Sequence, residues 1–178
     1  MQRTLVLLAA TAVLALGACG KATETAAEKM IESQMAKEGS KAKVDLSSGG
    51  VKITTTDASG KVSQMEMGSA KVSEADLGLP FYPGTQPKEG AMTKISTPEG
   101  SAVTVMLHSP DAPDKVAAFY RDKLKGAAQG KNFTDLTAGD TQMMMLIDEA
   151  NKQHTQVSVM KAEKGTDIQI IANRGTPK

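Results

Sequence analysis

Met92-Thr93-Lys94-Ile95-Ser96-Thr97-Pro98-Glu99-Gly100-Ser101-Ala102-Val103-Thr104-Val105-Met106-Leu107-His108 is the stretch whose reading decides the fold. Pro98-Glu99-Gly100 is turn chemistry between two alternating runs, so residues 92–97 and 101–108 are predicted to form a hairpin. Strand side chains alternate between faces, so Val103, Val105 and Leu107 point one way and Thr104, Met106 and His108 the other. Ser109-Pro110-Asp111-Ala112-Pro113-Asp114 then opens a helix. Asp111 is the expected cap, Pro113 is tolerated in the first turn, and Asp114 suits the positive end. Val116, Phe119, Tyr120 and Leu124 make its apolar stripe, Lys123 and Lys125 sit at its negative end, and Gly126 stops it. Strands are expected at 142–148, 155–161 and 167–172, with turns at Glu149-Ala150-Asn151-Lys152 and Glu163-Lys164-Gly165. Residues 132–136 leave room for one short additional strand. The order is β-β-α-β-β-β, an antiparallel sheet with one packed helix.

Upstream, residues 23 or 25 to 37 read as a helix with Ala27, Met30, Ile31, Gln34 and Met35 near one face and Gly39 as its stop. A three-stranded meander follows. Val44 and Leu46 alternate before Ser47-Ser48-Gly49-Gly50; Val51, Ile53 and Thr55 alternate before Asp57-Ala58-Ser59-Gly60; residues 62–67 close it. Val62 and Met65 differ in parity, so the third strand carries either a bulge or apolar side chains on both faces. The expected fold class is therefore α+β, a helix with a three-stranded meander followed by a separate β-β-α-β-β-β unit. The expected division is a signal peptide (1–18), a tether (19–26), the helix and meander (27–68), a linker (69–80) and the α+β domain (81–178). Within the last, Phe81-Tyr82-Pro83-Gly84 is a turn signal carrying two of the five aromatic residues.

The N-terminus carries an address. Arg3 is a minimal positive region, and residues 5–16 are apolar or small apart from Thr11, too short to span a bilayer. Leu16-Gly17-Ala18-Cys19 follows: a branched apolar residue, two small residues that enter a peptidase cleft, and a thiol that accepts lipid. Cys19 is the single cysteine, so no internal disulfide framework exists and lipidation removes a thiol that an oxidising envelope would attack. Two or three acyl chains, at about 0.8 kcal/mol per buried methylene, anchor almost permanently. Removing the segment with Arg3 leaves 20 basic and 20 acidic residues, and no basic excess points to nucleic acid.

Chemistry-bearing motifs are few. Cys19 is consumed by lipid, no Gly-x-Ser-x-Gly elbow is present, and His108 and His154 are the two imidazoles, neither with an evident partner. No catalytic residues are assigned and no enzyme is expected; a hydrolase of envelope polymers lacks a recognisable constellation. Methionine is abundant, at 11 residues, in an aromatic-poor chain. Soft thioethers suit Cu(I), and Met65 with Met67, and Met143 with Met145, each share one strand face. The plainer reading is that methionine fills core space left by missing aromatics. No metal and no cofactor beyond the covalent lipid on Cys19 is assigned.

Ala27-Glu28-Lys29-Met30-Ile31-Glu32, Gly50-Val51-Lys52-Ile53, Leu79-Pro80-Phe81-Tyr82-Pro83-Gly84 and Ser109-Pro110-Asp111-Ala112-Pro113-Asp114-Lys115-Val116, leading to Phe119-Tyr120-Arg121-Asp122-Lys123-Leu124, together resemble a widespread group of bacterial lipoproteins. Relatives place serine just before the helix proline, where this chain has Ala112. The resemblance implies an address and a fold, and no activity. In Gram-negative envelopes an aspartate after the cysteine commonly signals inner-membrane retention; Gly20 there resembles the outer-membrane default. The expected function is a membrane-anchored, non-catalytic interaction or envelope-maintenance module facing the periplasm. Its partners are the membrane, through the anchor, and an envelope protein met by the sheet edges or by Phe81, Tyr82, Pro83 and Gly84. The alternative is a periplasm-facing binder of Cu(I) or a small ligand.

Overall fold

The computed structural model describes residues 20–37, 41–47 and 49–176. The signal segment, Cys19, the helix stop at Gly39 and Ser48 of the first turn lie outside the described residues. Chain order runs α1 (Gly20–Lys37), β1 (Lys41–Asp45), β2 (Val51–Thr56), β3 (Val62–Met67), α2 (Glu74–Leu77), β4 (Pro87–Thr97), β5 (Gly100–Ser109), α3 (Pro113–Gly126), β6 (Asn132–Ala138), β7 (Thr141–Asp148), β8 (Gln153–Lys161) and β9 (Thr166–Gly175).

The nine strands form one antiparallel sheet in the order β1-β2-β3-β4-β5-β9-β8-β7-β6. This corrects the expectation of a meander standing apart from a second sheet. The two are joined where β3 pairs β4, with Gln64 opposite Ser96, Met65 opposite Ile95, Glu66 opposite Lys94 and Met67 opposite Thr93. Nineteen residues of intervening chain hide that pairing from any local pattern. Two further corrections follow. Residues 132–138 are a full strand pairing β7 along seven positions, rather than a short extra. Within the stretch read as linker, Ser73 caps α2 by a reciprocal box: its hydroxyl accepts from the Asp76 amide while the Asp76 carboxylate accepts from the Ser73 amide.

Side-chain parity is carried across the sheet by the register. Val103, Val105 and Leu107 align with Ala172, Ile170 and Ile168 on β9, and these with Thr155, Val157 and Val159 on β8. Val116, Ala117, Tyr120 and Leu124 of α3 close over this face, all fully buried. Leu77, Leu79 and Tyr82 seal the same cluster beside the helix. Burying a side chain such as Leu107 or Ile170 contributes about 1.5–3 kcal/mol, so this half holds most of the hydrophobic stabilisation.

Under β1–β4 the same side is polar. Asp45, Lys52, Glu66 and Lys94 stand opposite one another in sequence across the four strands, a row of alternating charge. The Lys52–Glu66 pair is closed at 2.7 Å. Directly opposed unlike charges stabilise a sheet where like charges destabilise it. β3 pairs both neighbours in register without a bulge; Val62 and Met67 are simply exposed.

The first helix meets the sheet by only part of the expected stripe, Ala27, Ile31 and Met35, turned toward Glu28 and Glu32. Met30 is 68% exposed and Gln34 is exposed, while Ala27, Glu28, Ile31, Glu32 and Met35 are half-buried. The rotation has a cause. Glu32 and Glu28 accept the amides of Val44 on the edge strand and Leu46 just past its end, both at 2.9 Å. Four helical residues rise about 6.0 Å and two strand residues about 6.6 Å, so carboxylates at i and i+4 match amides at j and j+2.

Candidate functional site

Two surfaces deserve consideration, one on each side of the sheet. On the α3 side, a cavity of about 340 Å³ lies where the polar strip meets the segment after β3, lined by Gln64, Glu66, Ser69, Lys71, Lys94 and Ser96. Its floor comes from adjacent rows of β3 and β4, so the β3–β4 pairing creates it. Lys94 reaches Asp76 at 2.7 Å and Lys52 holds Glu66. The Lys94 ammonium, followed by the Ser73 cap, holds the Asp76 carboxyl at about 2, well below the usual range. Lys71 is exposed and has no ion pair among the described residues. The cavity therefore presents the Lys71 cation, the Ser96 hydroxyl and the Gln64 carboxamide, with the remaining charge neutralised. That chemistry receives a small polar solute rather than a hydrocarbon. None of these six residues was singled out from sequence. The signal present was Lys52, Glu66 and Lys94, which alternate in sign but can be aligned only once the register is known.

On the other side, Met106, Ile171, Gln156, Met143 and Met145 are half-buried and Leu136 is 52% exposed. Met143 and Met145 share this face, as do Met65 and Met67, but β7 and β3 stand five strand spacings apart, roughly 24 Å. The two thioether pairs are not brought together, and no cluster of three His, Cys, Asp or Glu side chains suited to a metal occurs among the described residues. His108 stands on the same face and does have a partner: its Nδ1 lies 2.9 Å from Asp167 Oδ1, which Lys88 also engages at 2.8 Å. These hydrogen bonds, Lys88 first and then His108, hold the Asp167 carboxyl below its usual range. Asp167 lies 59 positions from His108 but directly opposite it in register. His154 Nδ1 faces the Asn173 amide at 3.4 Å.

The Phe81-Tyr82-Pro83-Gly84 segment is a turn closed by the Thr85 amide on the Tyr82 carbonyl at 3.0 Å, with Gly84 at φ 77°. Pro83 and Gly84 are exposed, Phe81 is half-buried, and Tyr82 is 5% exposed. The Tyr82 ring meets Phe119 edge-on at 5.2 Å and its hydroxyl donates to Asp111 at 2.7 Å. This corrects the expected cap. Ala112 occupies the N-cap of α3 with no side-chain bond, and Asp111 is drawn instead to Tyr82 and Lys115. Beneath it the Tyr120 hydroxyl is buried and completes no hydrogen bond of good geometry, the Tyr82 backbone interacting only weakly. Burial pushes its ionisation well up.

Among the described residues, no helix is long and apolar enough to cross a membrane. No curated protein and no solved structure matches the chain. A family model described as START domain-like matches residues 89–167. That span covers most of the hairpin, α3 and β6 to β8 but only the first two residues of β9, and the chain is similar to the family over this part, less than half its length.

Proposed function

We propose that this chain is a non-catalytic interaction or envelope-maintenance module, tethered through lipid on Cys19 to the bacterial outer membrane and facing the periplasm. Leu16-Gly17-Ala18-Cys19 behind a short apolar run supports the address. The resemblance of the Tyr-Pro-Gly turn and the Phe-Tyr-Arg helix to bacterial lipoproteins supports it as well. One observation carries the interaction reading. α3, together with α2 and the segment 79–82, seals one side of β5, β9, β8 and β7, while the opposite side presents half-exposed methionines interleaved with amides and hydroxyls. Methionine adapts its shape to a partner, and polar neighbours keep such a surface soluble when unoccupied.

The test is photo-crosslinking in cells of the lipidated protein, with a reactive residue at His108 or Gln156 on the open side and at exposed Asp122 on α3 as control. A discrete protein adduct from the open side alone is expected. Equal, diffuse labelling from all three positions would refute the interaction reading. Mass spectrometry of the N-terminal peptide checks the address separately: a mature chain beginning at acylated Cys19 is expected, and an unmodified cysteine contradicts it.

The polar cavity favours a second reading, that of a small-ligand binder. The Cu(I) form of that reading draws no support from the roughly 24 Å between the two methionine pairs. A Cu(I) titration of the soluble portion is expected to show nothing tighter than micromolar. Tight stoichiometric binding lost on changing Met143 and Met145 to leucine would overturn that expectation.

A further inference from the structure

The two edges of the sheet are treated differently by the chain. At β1 the outward amides of Val44 and Leu46 are taken by Glu32 and Glu28 of α1. At β6 the strand pairs β7 over seven residues with no register break, and among the described residues nothing hydrogen-bonds its outer backbone. Unpaired edges are ordinarily blunted by lysine, proline, a bulge or a covering segment. β6 carries no lysine, proline or register break, and of the usual devices it has one charge. Its sequence is Asn-Phe-Thr-Asp-Leu-Thr-Ala, and its single charge, Asp135, is bound by Arg121 of α3. Leu136 stands on it 52% exposed.

The geometry points to β6 as a strand-addition edge that takes β6 of a second copy of this chain. The side chains set the register. A two-fold axis normal to the sheet pairs strands antiparallel and keeps like faces together, so only residues of equal parity can oppose each other. An axis at Asp135 would set two carboxylates against each other. An axis at Leu136 opposes Leu136 to itself, Asp135 to Thr137 and Thr134 to Ala138. It also joins the Leu136 side chains of both copies to Met143, the neighbour of Leu136 on β7, in one apolar strip along the seam. The assembly closes: both β6 edges are consumed, and the two ends left are the glutamate-covered β1 edges. A foreign extended segment would satisfy the backbone, but only a second copy gives this symmetrical fit and this closure. The inference rests on the reading of the chain as an interaction module and names the partner of one of its edges.

The test uses the full lipidated chain in native membranes. With Cys19 acylated, Leu136→Cys introduces the only thiol, and a short bis-thiol crosslinker is applied. A covalent homodimer at least ten times more abundant than from Lys164→Cys, in the exposed β8–β9 turn, is expected. Sedimentation of the detergent-solubilised unsubstituted chain is expected to give a dimer, and Leu136→Lys to raise its dissociation constant at least ten-fold with the circular dichroism spectrum unchanged. Crosslinking no better than the control, a monomer at about 100 μM, or Leu136→Cys linked to a different protein would each overturn the inference. If these fail while His108 and Gln156 still give a discrete adduct, self-pairing falls and the interaction reading stands.

Discussion

Tyr82 shows how one side chain ties a loop to a core. Its ring stacks edge-on with Phe119, and its hydroxyl spends its proton on Asp111, which pushes its own ionisation up to about 12 and pulls Asp111 down. Tyr82→Phe keeps the ring and loses the bond, so a loss of about 1 kcal/mol is expected in denaturant unfolding, whereas Tyr82→Ala is expected to cost about 3–5 kcal/mol. The sign with pH follows from the raised value. The contribution is complete below about 10, where unfolded tyrosine ionises, and is lost as pH rises toward 12. A spectroscopic titration at 295 nm should find one phenol ionising near 12 in the native protein and not in Tyr82→Phe. At Gly165, φ is +80° and an added Cβ would fall 2.1 Å from the Ser109 carbonyl oxygen. Gly165→Ala is therefore expected to destabilise by about 2 kcal/mol or more, read as a lowered urea midpoint. Nothing in Glu163-Lys164-Gly165 beyond a turn signal was legible in sequence, because the clash is with a residue 56 positions away in the chain.

Among the elements, those with local signals were readable. Val103, Val105 and Leu107 on β5 and Val116, Tyr120 and Leu124 on α3 alternate or recur as the apolar faces require, and all are buried. α2 carried its signal in Ser73-Glu74-Ala75-Asp76, a capping pattern lost inside a polar stretch. α1 was misread by rotation, because periodicity counts methionine toward the core and glutamate away from it. Here the glutamates serve the edge of the sheet. Asp76 supports two elements at once, the α2 cap and Lys94 of β4. Its depressed value near 2 means that its stabilisation is complete above about 4 and is lost as pH falls through 4 toward 2. Asp76→Asn is expected to cost about 1–2 kcal/mol at neutral pH, discounted for partial exposure, and to flatten the acid limb of the stability curve.

At the scale of the molecule, the seam between β3 and β4 was not legible. Hydrophobic alternation reports which face a strand buries, and here the α3-side face of both strands is polar: Gln64 and Glu66 on one, Lys94 and Ser96 on the other. With no apolar α3-side face to announce a partner and a 19-residue connection between them, the two halves read as independent units. The cavity belongs to this scale, since its lining is assembled from both sides of the seam. So does the run of the open face from the meander to β6. The small-ligand reading of the cavity therefore depends on that one pairing. The most direct test is a solution NMR measurement of cross-strand backbone NOEs between residues 64–67 and 93–96, together with amide exchange on β3. Contacts in the register Gln64 with Ser96, Met65 with Ile95, Glu66 with Lys94 and Met67 with Thr93, with β3 amides as protected as those of β4, are the expected result. Absence of those contacts, with β3 amides exchanging freely on the side facing β4, would contradict the single sheet and separate the cavity and the open face into unconnected parts.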